Sequence, residues 1–121
     1  MSESTVAAVT RLLRGHRYHH ANERELQDGI EAVLRDAKIA FEREKRLAEG
    51  DIIDFLVDGG LGVEVKVGGG LAAVTRQLHR YAENAAVTEL LLVSSRLRLG
   101  QVPIELRGKR VHFLALLGGL L

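Results

Sequence analysis

Residues 50–70 read GDIIDFLVDGGLGVEVKVGGG and predict two apolar strands joined by a tight turn. The Asp-Gly-Gly between the two runs is typical of a hairpin turn. Asp54 interrupts the first strand, and Glu64 and Lys66 flank Val65 in the second. Because side chains alternate along a strand, Glu64 and Lys66 point to the same face. We therefore expect a β-hairpin that brings two acids and a lysine together.

The segment before the hairpin predicts two helices and a strand. The spacing of apolar residues predicts a helix over residues 3–14 that ends at Gly15. Asn22 is a good N-cap for a second helix over residues 23–37. Residues 38–47 alternate between apolar and charged, which suits a half-exposed strand.

The segment after the hairpin predicts a helix over residues 71–86, with Ala85 on its inner face, and a buried strand over residues 88–94. A basic loop follows over residues 95–109, then a last strand over residues 110–117, for which a short helix is the alternative. The order is α-α-β-β-β-α-β. The hairpin pairing is antiparallel and the helix crossover implies a parallel pairing. We expect an α/β fold with a small mixed sheet flanked by helices.

The composition predicts one domain over residues 1–121, in which residues 1–21 form an N-terminal helix and basic loop. The chain has no cysteine, which excludes disulfides, zinc–thiolate sites and a cysteine nucleophile. It has no apolar run long enough to span a membrane. The N-terminus lacks the basic-then-apolar order of a secretion signal. We expect a cytoplasmic protein with no membrane partner.

Charge is unevenly distributed although the net charge is only +1. Residues 11–20 carry three arginines, three histidines and no acid, and five of the six charged residues after Leu90 are basic. The acids concentrate between Glu23 and Glu64. A basic rim around an acidic centre suits a polyanion held over a metal site. The alternative is solvated surface charge.

The acids of the hairpin have apolar neighbours in sequence. A buried carboxylate at Asp54 or Glu64 is costly unless it is paired or bound to a metal. Two carboxylates and a main-chain carbonyl form a hard oxygen site that suits Mg²⁺ or Mn²⁺. Lys66 on the same face would orient a water or help to deprotonate it. The alternative is a cross-strand salt bridge of Asp54 or Glu64 with Lys66 on a wet sheet face.

Polar residues on the two flanking helices extend this cluster. Glu23 lies on the helical stripe of Leu26 and Ile30 and would face the sheet edge; the alternative is an acid favoured by the helix dipole. Gln77 and Tyr81 are four residues apart and share a helical face, where they would order a water or a phosphate. The alternative is a core tyrosine beside an incidental glutamine.

The order and spacing of these residues resemble the PD-(D/E)XK nuclease superfamily. The segments NERELQ and VEVKV are similar to those of archaeal Holliday junction resolvases, and the QxxxY pattern is similar to that of RecB-type nuclease domains. The resemblance covers residues 22–94. It implies a mixed sheet flanked by helices and Mg²⁺-dependent hydrolysis of phosphodiester bonds, with Mn²⁺ as a substitute.

The resemblance also implies roles within the hairpin. Asp54 and Glu64 would be metal ligands together with the Val65 carbonyl, and Lys66 would position the attacking water. Ile53 stands where the family's name-giving proline stands, a substitution that the family tolerates.

Three further residues take supporting roles in the resemblance. Glu23 would complete the catalytic site through a metal or a water, and Gln77 and Tyr81 would support it. The chain has no obvious specificity domain, which favours a nuclease of DNA repair or recombination that recognises DNA structures or ends rather than a sequence.

DNA is the expected partner, and no small-molecule cofactor is expected. Tyr18 would stack on an unpaired base. The predicted DNA contacts are Arg14, Arg17, Tyr18, Arg76, Arg80, Arg96 and Arg98.

Two other functions remain open. The first is a non-catalytic nucleic-acid-binding module of the same fold. The second is a homodimeric interaction domain whose charged cluster is a salt-bridge network. A nuclease of this size would dimerise to cleave both strands of a duplex, but no dimer interface can be identified from the sequence.

Overall fold

A computed structural model describes residues 3–18 and 22–116 of the chain. These residues form an α/β fold with three α-helices and an open mixed sheet of six strands, which confirms the predicted fold class. The helices are α1 (Thr5–Arg14), α2 (Glu23–Asp36) and α3 (Leu71–Ala82). The strands are β1 (Phe41–Ala48), β2 (Asp51–Val57), β3 (Leu61–Lys66), β4 (Glu89–Ser94), β5 (Glu105–Leu106) and β6 (Lys109–Ala115).

The strands lie in the order β1-β2-β3-β4-β6-β5. The β1–β2, β2–β3 and β5–β6 pairs are antiparallel, whereas β3–β4 and β4–β6 are parallel. The predicted hairpin and the predicted parallel pairing across α3 are both confirmed. The carboxyl ends of the parallel strands meet at one edge of the sheet, where Lys66 pairs with Ser94 and Ser94 with Ala115.

Helices cover the sheet on both faces. On one face α1 and α2 pack on a cluster that includes Phe55, Val63 and Val65. On the other face α3 packs on Leu90 and Leu92. The apolar stripe predicted for α2 is fully buried and consists of Leu26, Ile30, Val33 and Leu34.

The N-cap predicted for α2 is present: Asn22 Oδ1 accepts the Glu25 amide at 2.8 Å. The N–H groups of a first helical turn have no partner within the helix, so this bond fixes where α2 begins. Glu23 thereby becomes the first helical residue, at the edge of the sheet.

Helix α3 ends at Ala82, four residues before the predicted end. The cause is Asn84, whose Oδ1 accepts the Ala86 amide at 2.9 Å and whose Nδ2 donates to the Leu47 carbonyl at 2.8 Å. An asparagine that binds nearby backbone competes with helical hydrogen bonding. The prediction that Ala85 lies on the inner helix face is therefore wrong, and Ala85 is exposed.

The C-terminal segment departs from the predicted loop in one respect. Within the region predicted as a loop, residues Leu97–Gln101 form a 3₁₀ turn and β5 pairs with β6. The last element is a strand rather than a helix, and the predicted end at Leu117 lies outside the described residues.

Tyr18 anchors the segment after α1. Its side chain is buried, its hydroxyl donates to the Leu13 carbonyl at 2.7 Å, and its ring lies on Gly29 of α2. A Cβ at Gly29 would lie 2.9 Å from the ring, so only glycine permits this approach. The predicted basic loop extends to residue 21, and its last three residues lie outside the described part of the chain.

No helix in the described ranges combines the length and the apolar character that a bilayer crossing requires.

Candidate active site

Asp54 stands outside the regular pairing of the sheet. Every residue of β2 is described, and Asp54 alone among them is paired in neither the β1–β2 nor the β2–β3 register. The β2–β3 pairing ends at Phe55 and Val63. On the other side, Glu44 is skipped between neighbouring pairs and adopts a left-handed φ of 52°. The backbone at Asp54 is therefore available to side chains.

Strand β2 changes face at this level. Phe55 packs on the α1–α2 side, but Ile53, two residues earlier, packs on the α3 side. In β1, Arg43 lies over the Phe55 ring and Leu47 packs on the α3 side, with a shift of the β1–β2 register between Arg46 and Ala48. Residues that are two positions apart in a regular strand share a face, so the hairpin is locally twisted at the level of Glu44 and Asp54.

The two acids of the hairpin bind each other's backbone. Asp54 Oδ2 accepts the Val65 amide at 2.7 Å, and Glu64 Oε1 accepts the Asp54 amide at 3.1 Å. These bonds replace the strand pairing that ends one residue earlier. They hold the two carboxylates side by side between diverging strands.

The Val65 carbonyl faces the same gap. The N–H and C=O groups of one residue leave a strand on the same edge, and the Val65 amide points to Asp54. The carbonyl of Val65 is therefore directed toward β2. Two carboxylates and one main-chain oxygen converge where the sequence predicted a metal site.

Lys66 and Tyr81 close the cluster on the α3 face. Lys66 Nζ lies 3.4 Å from Glu64 Oε2, and the lysine side chain is 20% exposed. The Tyr81 hydroxyl lies 3.4 Å from the same oxygen and 2.8 Å from the Ile52 carbonyl. The phenol has one proton, and the shorter contact shows that it donates to Ile52. Gln77 lies four residues before Tyr81 on α3, close enough to oppose the rise in the pKa of the phenol that burial causes.

Glu23 reaches the site from the α1–α2 side. Its Oε1 lies 3.4 Å from the Val67 amide, just beyond the end of β3. It is close enough to Asp54 to raise the pKa of that carboxyl, after desolvation as the main cause. All six side chains predicted to be catalytic thus lie around the carboxyl end of β3.

Burial dominates the electrostatics of the pair. Glu64 is 3% exposed, and desolvation, with Asp54 as the second cause, raises its pKa to about 8. Desolvation likewise raises the pKa of Asp54, although the Val65 amide opposes the shift. Two carboxyls in this position are disfavoured as a pair of anions, so the site favours an added positive charge.

The donor set fits a hard divalent cation. Within residues 3–18 and 22–116, no three acidic or histidine side chains are arranged to hold a metal ion. The proposed set needs only two, because Mg²⁺ binds through one or two carboxylates and retains several waters. The residues that would hold it are Asp54, Glu64 and the Val65 carbonyl.

Two arginines extend the site beyond β4. Arg96 Nε donates to the Val67 carbonyl and Arg98 Nη1 donates to the Gly69 carbonyl, both at 2.8 Å. The buried Ser94 hydroxyl accepts the Arg96 amide at 2.9 Å. Each guanidinium uses one donor on the turn that follows Lys66 and keeps the others for a ligand.

The other predicted DNA contacts differ in their availability. Three of them are exposed: Arg76 lies on α3, Arg14 at the end of α1, and Arg17 just after α1. Arg80 is half-exposed but its Nε binds Asp51 Oδ1 at 3.0 Å, which neutralises part of its charge.

The predicted stacking role of Tyr18 is wrong for the structure as described. Its side chain is 8% exposed and its ring lies on Gly29, so neither ring face is open to a base. The sequence did contain a signal, because a glycine inside a helical pattern often marks a close packing contact.

The sequence did not indicate the roles of Glu44 and Ser94. Glu44 reads as one more charged residue of a half-exposed strand, and nothing in its neighbourhood predicts its left-handed φ. Ser94 reads as the end of a buried strand, although a hydroxyl there needs a hydrogen-bond partner, which the Arg96 amide supplies.

No protein-family model, curated protein or solved structure matches this chain. The resemblance to PD-(D/E)XK nucleases therefore stays a prediction from the residues and their arrangement.

Proposed function

We propose that this chain is a Mg²⁺-dependent DNA nuclease that hydrolyses phosphodiester bonds. One observation carries the proposal: Asp54 and Glu64 lie side by side, largely buried, just beyond the end of the β2–β3 pairing and next to Lys66. A purely structural ion pair would not require two acids to share a site for which burial raises both pKa values.

The residues have complementary tasks in this reaction. Asp54, Glu64 and the Val65 carbonyl would hold the cation. Bound there, Mg²⁺ supplies positive charge for the phosphate oxygens and lowers the pKa of a water. Lys66 contacts Glu64 and is partly exposed, so its ammonium reaches both the carboxylate and an incoming water or phosphate.

The supporting residues hold this arrangement. Tyr81 ties α3 to β2 through the Ile52 carbonyl, and Gln77, four residues earlier on α3, would support the phenol. Glu23 binds the amide that follows Lys66, which fixes the end of β3. Arg96 and Arg98 would bind backbone phosphates on the β4 side of the site.

A non-catalytic DNA-binding module is the second candidate. The observation that favours it is that Asp54 and Glu64 each already accept a main-chain N–H, so their positions have a structural explanation. In that protein the acids would stabilise the twist of β2, and DNA would bind to the arginines alone.

The test is a cleavage screen with Mg²⁺ and Mn²⁺ on linear, nicked, flapped, branched and single-stranded DNA. We expect metal-dependent cleavage of at least one substrate and a loss of about 10²-fold or more in Lys66→Ala, the usual size of an acid–base contribution. Lys45→Ala, a partly exposed lysine on β1, is the matched control and should keep full activity.

Binding separates the two candidates. If the wild type cleaves DNA while Lys66→Ala binds it with Ca²⁺ present and cleaves none, the nuclease proposal stands. If the wild-type protein binds every DNA and cleaves none with either metal, the binding module is correct and the nuclease proposal fails.

A further inference from the structure

The carboxyl-terminal part of β1 and the start of β2 form a two-stranded ribbon beyond the rest of the sheet. We define the ribbon as residues 44–48 and 51–54. Because β2 pairs with β3 only over residues 55–57, these residues pair only within the β1–β2 hairpin. The ribbon begins at Asp54 and so borders the candidate site directly.

The ribbon is held rigidly against α3. The Tyr81 hydroxyl donates to the Ile52 carbonyl and Asn84 Nδ2 to the Leu47 carbonyl, both at 2.8 Å. Arg80 adds an ion pair with Asp51. Three contacts along one short ribbon fix its position relative to the helix.

The face change at Asp54 leaves one large apolar side chain outside. Ile53 and Leu47 pack on the α3 side, so Ile52 points away from it and is 52% exposed. Its partner across the ribbon is Arg46, which is also exposed. An isoleucine in this position, two residues from a proposed metal ligand, has no packing role that explains it.

We propose that Ile52 is a wedge that contacts an unpaired or unstacked base next to the cleaved phosphate; this inference rests on the proposed nuclease function. Sheet order supports the geometry. The ribbon and the Arg96–Arg98 segment lie on opposite sides of the end of β3, so a DNA strand crossing that end meets arginines on one side and Ile52 on the other.

The charges of the ribbon favour a base over a phosphate. The ribbon carries Lys45 and Arg46 against Glu44, Asp51 and Asp54, so it is not a basic strip that would attract the sugar-phosphate backbone. An apolar side chain at a protein surface suits an unstacked base, and inserted isoleucines open base steps in DNA-distorting proteins. Arg46 would contact the edge or face of the same base.

The experiment compares Ile52→Ala with the matched control Ile104→Ala, which removes another exposed large apolar side chain of the described chain, outside the Arg96–Arg98 segment. Binding is measured with Ca²⁺ on duplexes that carry 2-aminopurine, either fully paired or beside a single-base bulge. Cleavage of the same duplexes is measured with Mg²⁺. Circular dichroism checks that each variant folds.

We expect the wild type and the Ile104→Ala control to prefer the bulged duplex and to increase 2-aminopurine fluorescence on binding. Ile52→Ala should lose about tenfold of this preference, as expected for the loss of one apolar contact, and should not increase the fluorescence. Ile52→Phe, which keeps an apolar wedge, should retain both effects.

The binding and cleavage measurements test the wedge and the nuclease function separately. If DNA is cleaved but Ile52→Ala has the same bulged-to-paired ratio and fluorescence as Ile104→Ala, the wedge is overturned and the nuclease stands. If no DNA is cleaved but the fluorescence increase depends on Ile52, the nuclease fails and the base contact stands. If the wild type does not bind either duplex, both are overturned.

Discussion

Asp54 and Glu64 lie one step beyond Phe55 and Val63, where the pairing of β2 with β3 ends, and the Asp54 amide donates to Glu64 Oε1 at 3.1 Å. Asp54 in turn accepts the amide of Val65, the residue after Glu64. The acids thus serve as backbone partners at the point where two strands separate. This relationship lets the structural and the catalytic roles of the acids be tested separately.

Replacing Asp54 separates the two roles. Asp54→Asn keeps an oxygen that can accept the Val65 amide, so its free energy of unfolding should stay within about 1 kcal/mol of the wild type. Asp54→Ala leaves that amide without its partner and should cost about 1–3 kcal/mol. Both should abolish cleavage, because neither supplies an anionic ligand. Urea unfolding and a DNA cleavage assay measure the two effects.

Asp58→Asn is the matched control for this pair, because Asp58 is an exposed aspartate in the turn of the same hairpin. It should change neither stability nor cleavage. Cleavage at the wild-type rate by Asp54→Asn would exclude Asp54 as a metal ligand.

Stability without metal should depend on pH through Glu64. Burial raises its pKa to about 8 from 4.5, so between these values the folded state holds a proton that the unfolded state releases. The contribution of Glu64 to the free energy of unfolding should therefore be highest below pH 4.5. It should fall by more than about 1 kcal/mol as the pH rises to about 8. Asp54, whose pKa is also raised, acts in the same direction.

Urea unfolding at a series of pH values in the presence of EDTA measures this dependence. Glu64→Gln cannot titrate and should flatten the curve of unfolding free energy against pH between pH 5 and 8. Glu42 is an exposed residue of β1, so Glu42→Gln should keep the wild-type slope. An unchanged slope in Glu64→Gln would show that Glu64 is not the titrating group.

Two tyrosines make a matched pair for the role of the phenol. Tyr81→Phe removes the bond to the Ile52 carbonyl and Tyr18→Phe removes the bond to the Leu13 carbonyl. Each should lower the free energy of unfolding by about 0.5–1.5 kcal/mol. Only Tyr81→Phe should also slow cleavage, because Tyr18 lies away from the carboxylates. Equal cleavage rates in the two variants would remove Tyr81 from the site.

Gly29→Ala tests the packing of the segment after α1. Alanine favours helices by about 1 kcal/mol over glycine, so the same substitution at an exposed helical position would stabilise the protein. At this site the new Cβ meets the Tyr18 ring at 2.9 Å, and the ring is held by its hydroxyl. We expect a net destabilisation of about 1–3 kcal/mol in urea unfolding. In a Tyr18→Ala background the same change should instead be neutral or stabilising.

Local patterns in the sequence were sufficient to predict the helices and strands whose buried residues recur at a regular spacing. The stripe of α2 and the continuous apolar run of β4 both follow from side chains that meet one or two packed faces. The Asp54–Glu64 proximity was also predictable, because the length of the Asp58–Gly60 turn sets the register of the hairpin.

Features that depend on distant contacts were not predictable. The early end of α3 depends on Asn84 binding a carbonyl of β1, far away in sequence. The burial of Tyr18 depends on where α1 meets α2, since a tyrosine in a basic segment reads as exposed. The face change of the ribbon accompanies the left-handed φ of Glu44 and the shift of the β1–β2 register between Arg46 and Ala48, and no spacing rule anticipates either feature.

Glu44 has a consequence for how this protein tolerates change. It is exposed and contacts none of the carboxylates, yet its left-handed φ lies where Asp54 leaves the sheet pairing. Glycine and asparagine adopt that conformation readily, whereas valine or isoleucine strains it. Substitution tolerance at this surface position should therefore follow backbone conformation rather than charge. A position that no nuclease motif includes would thus affect the site through the course of β1 beside Asp54.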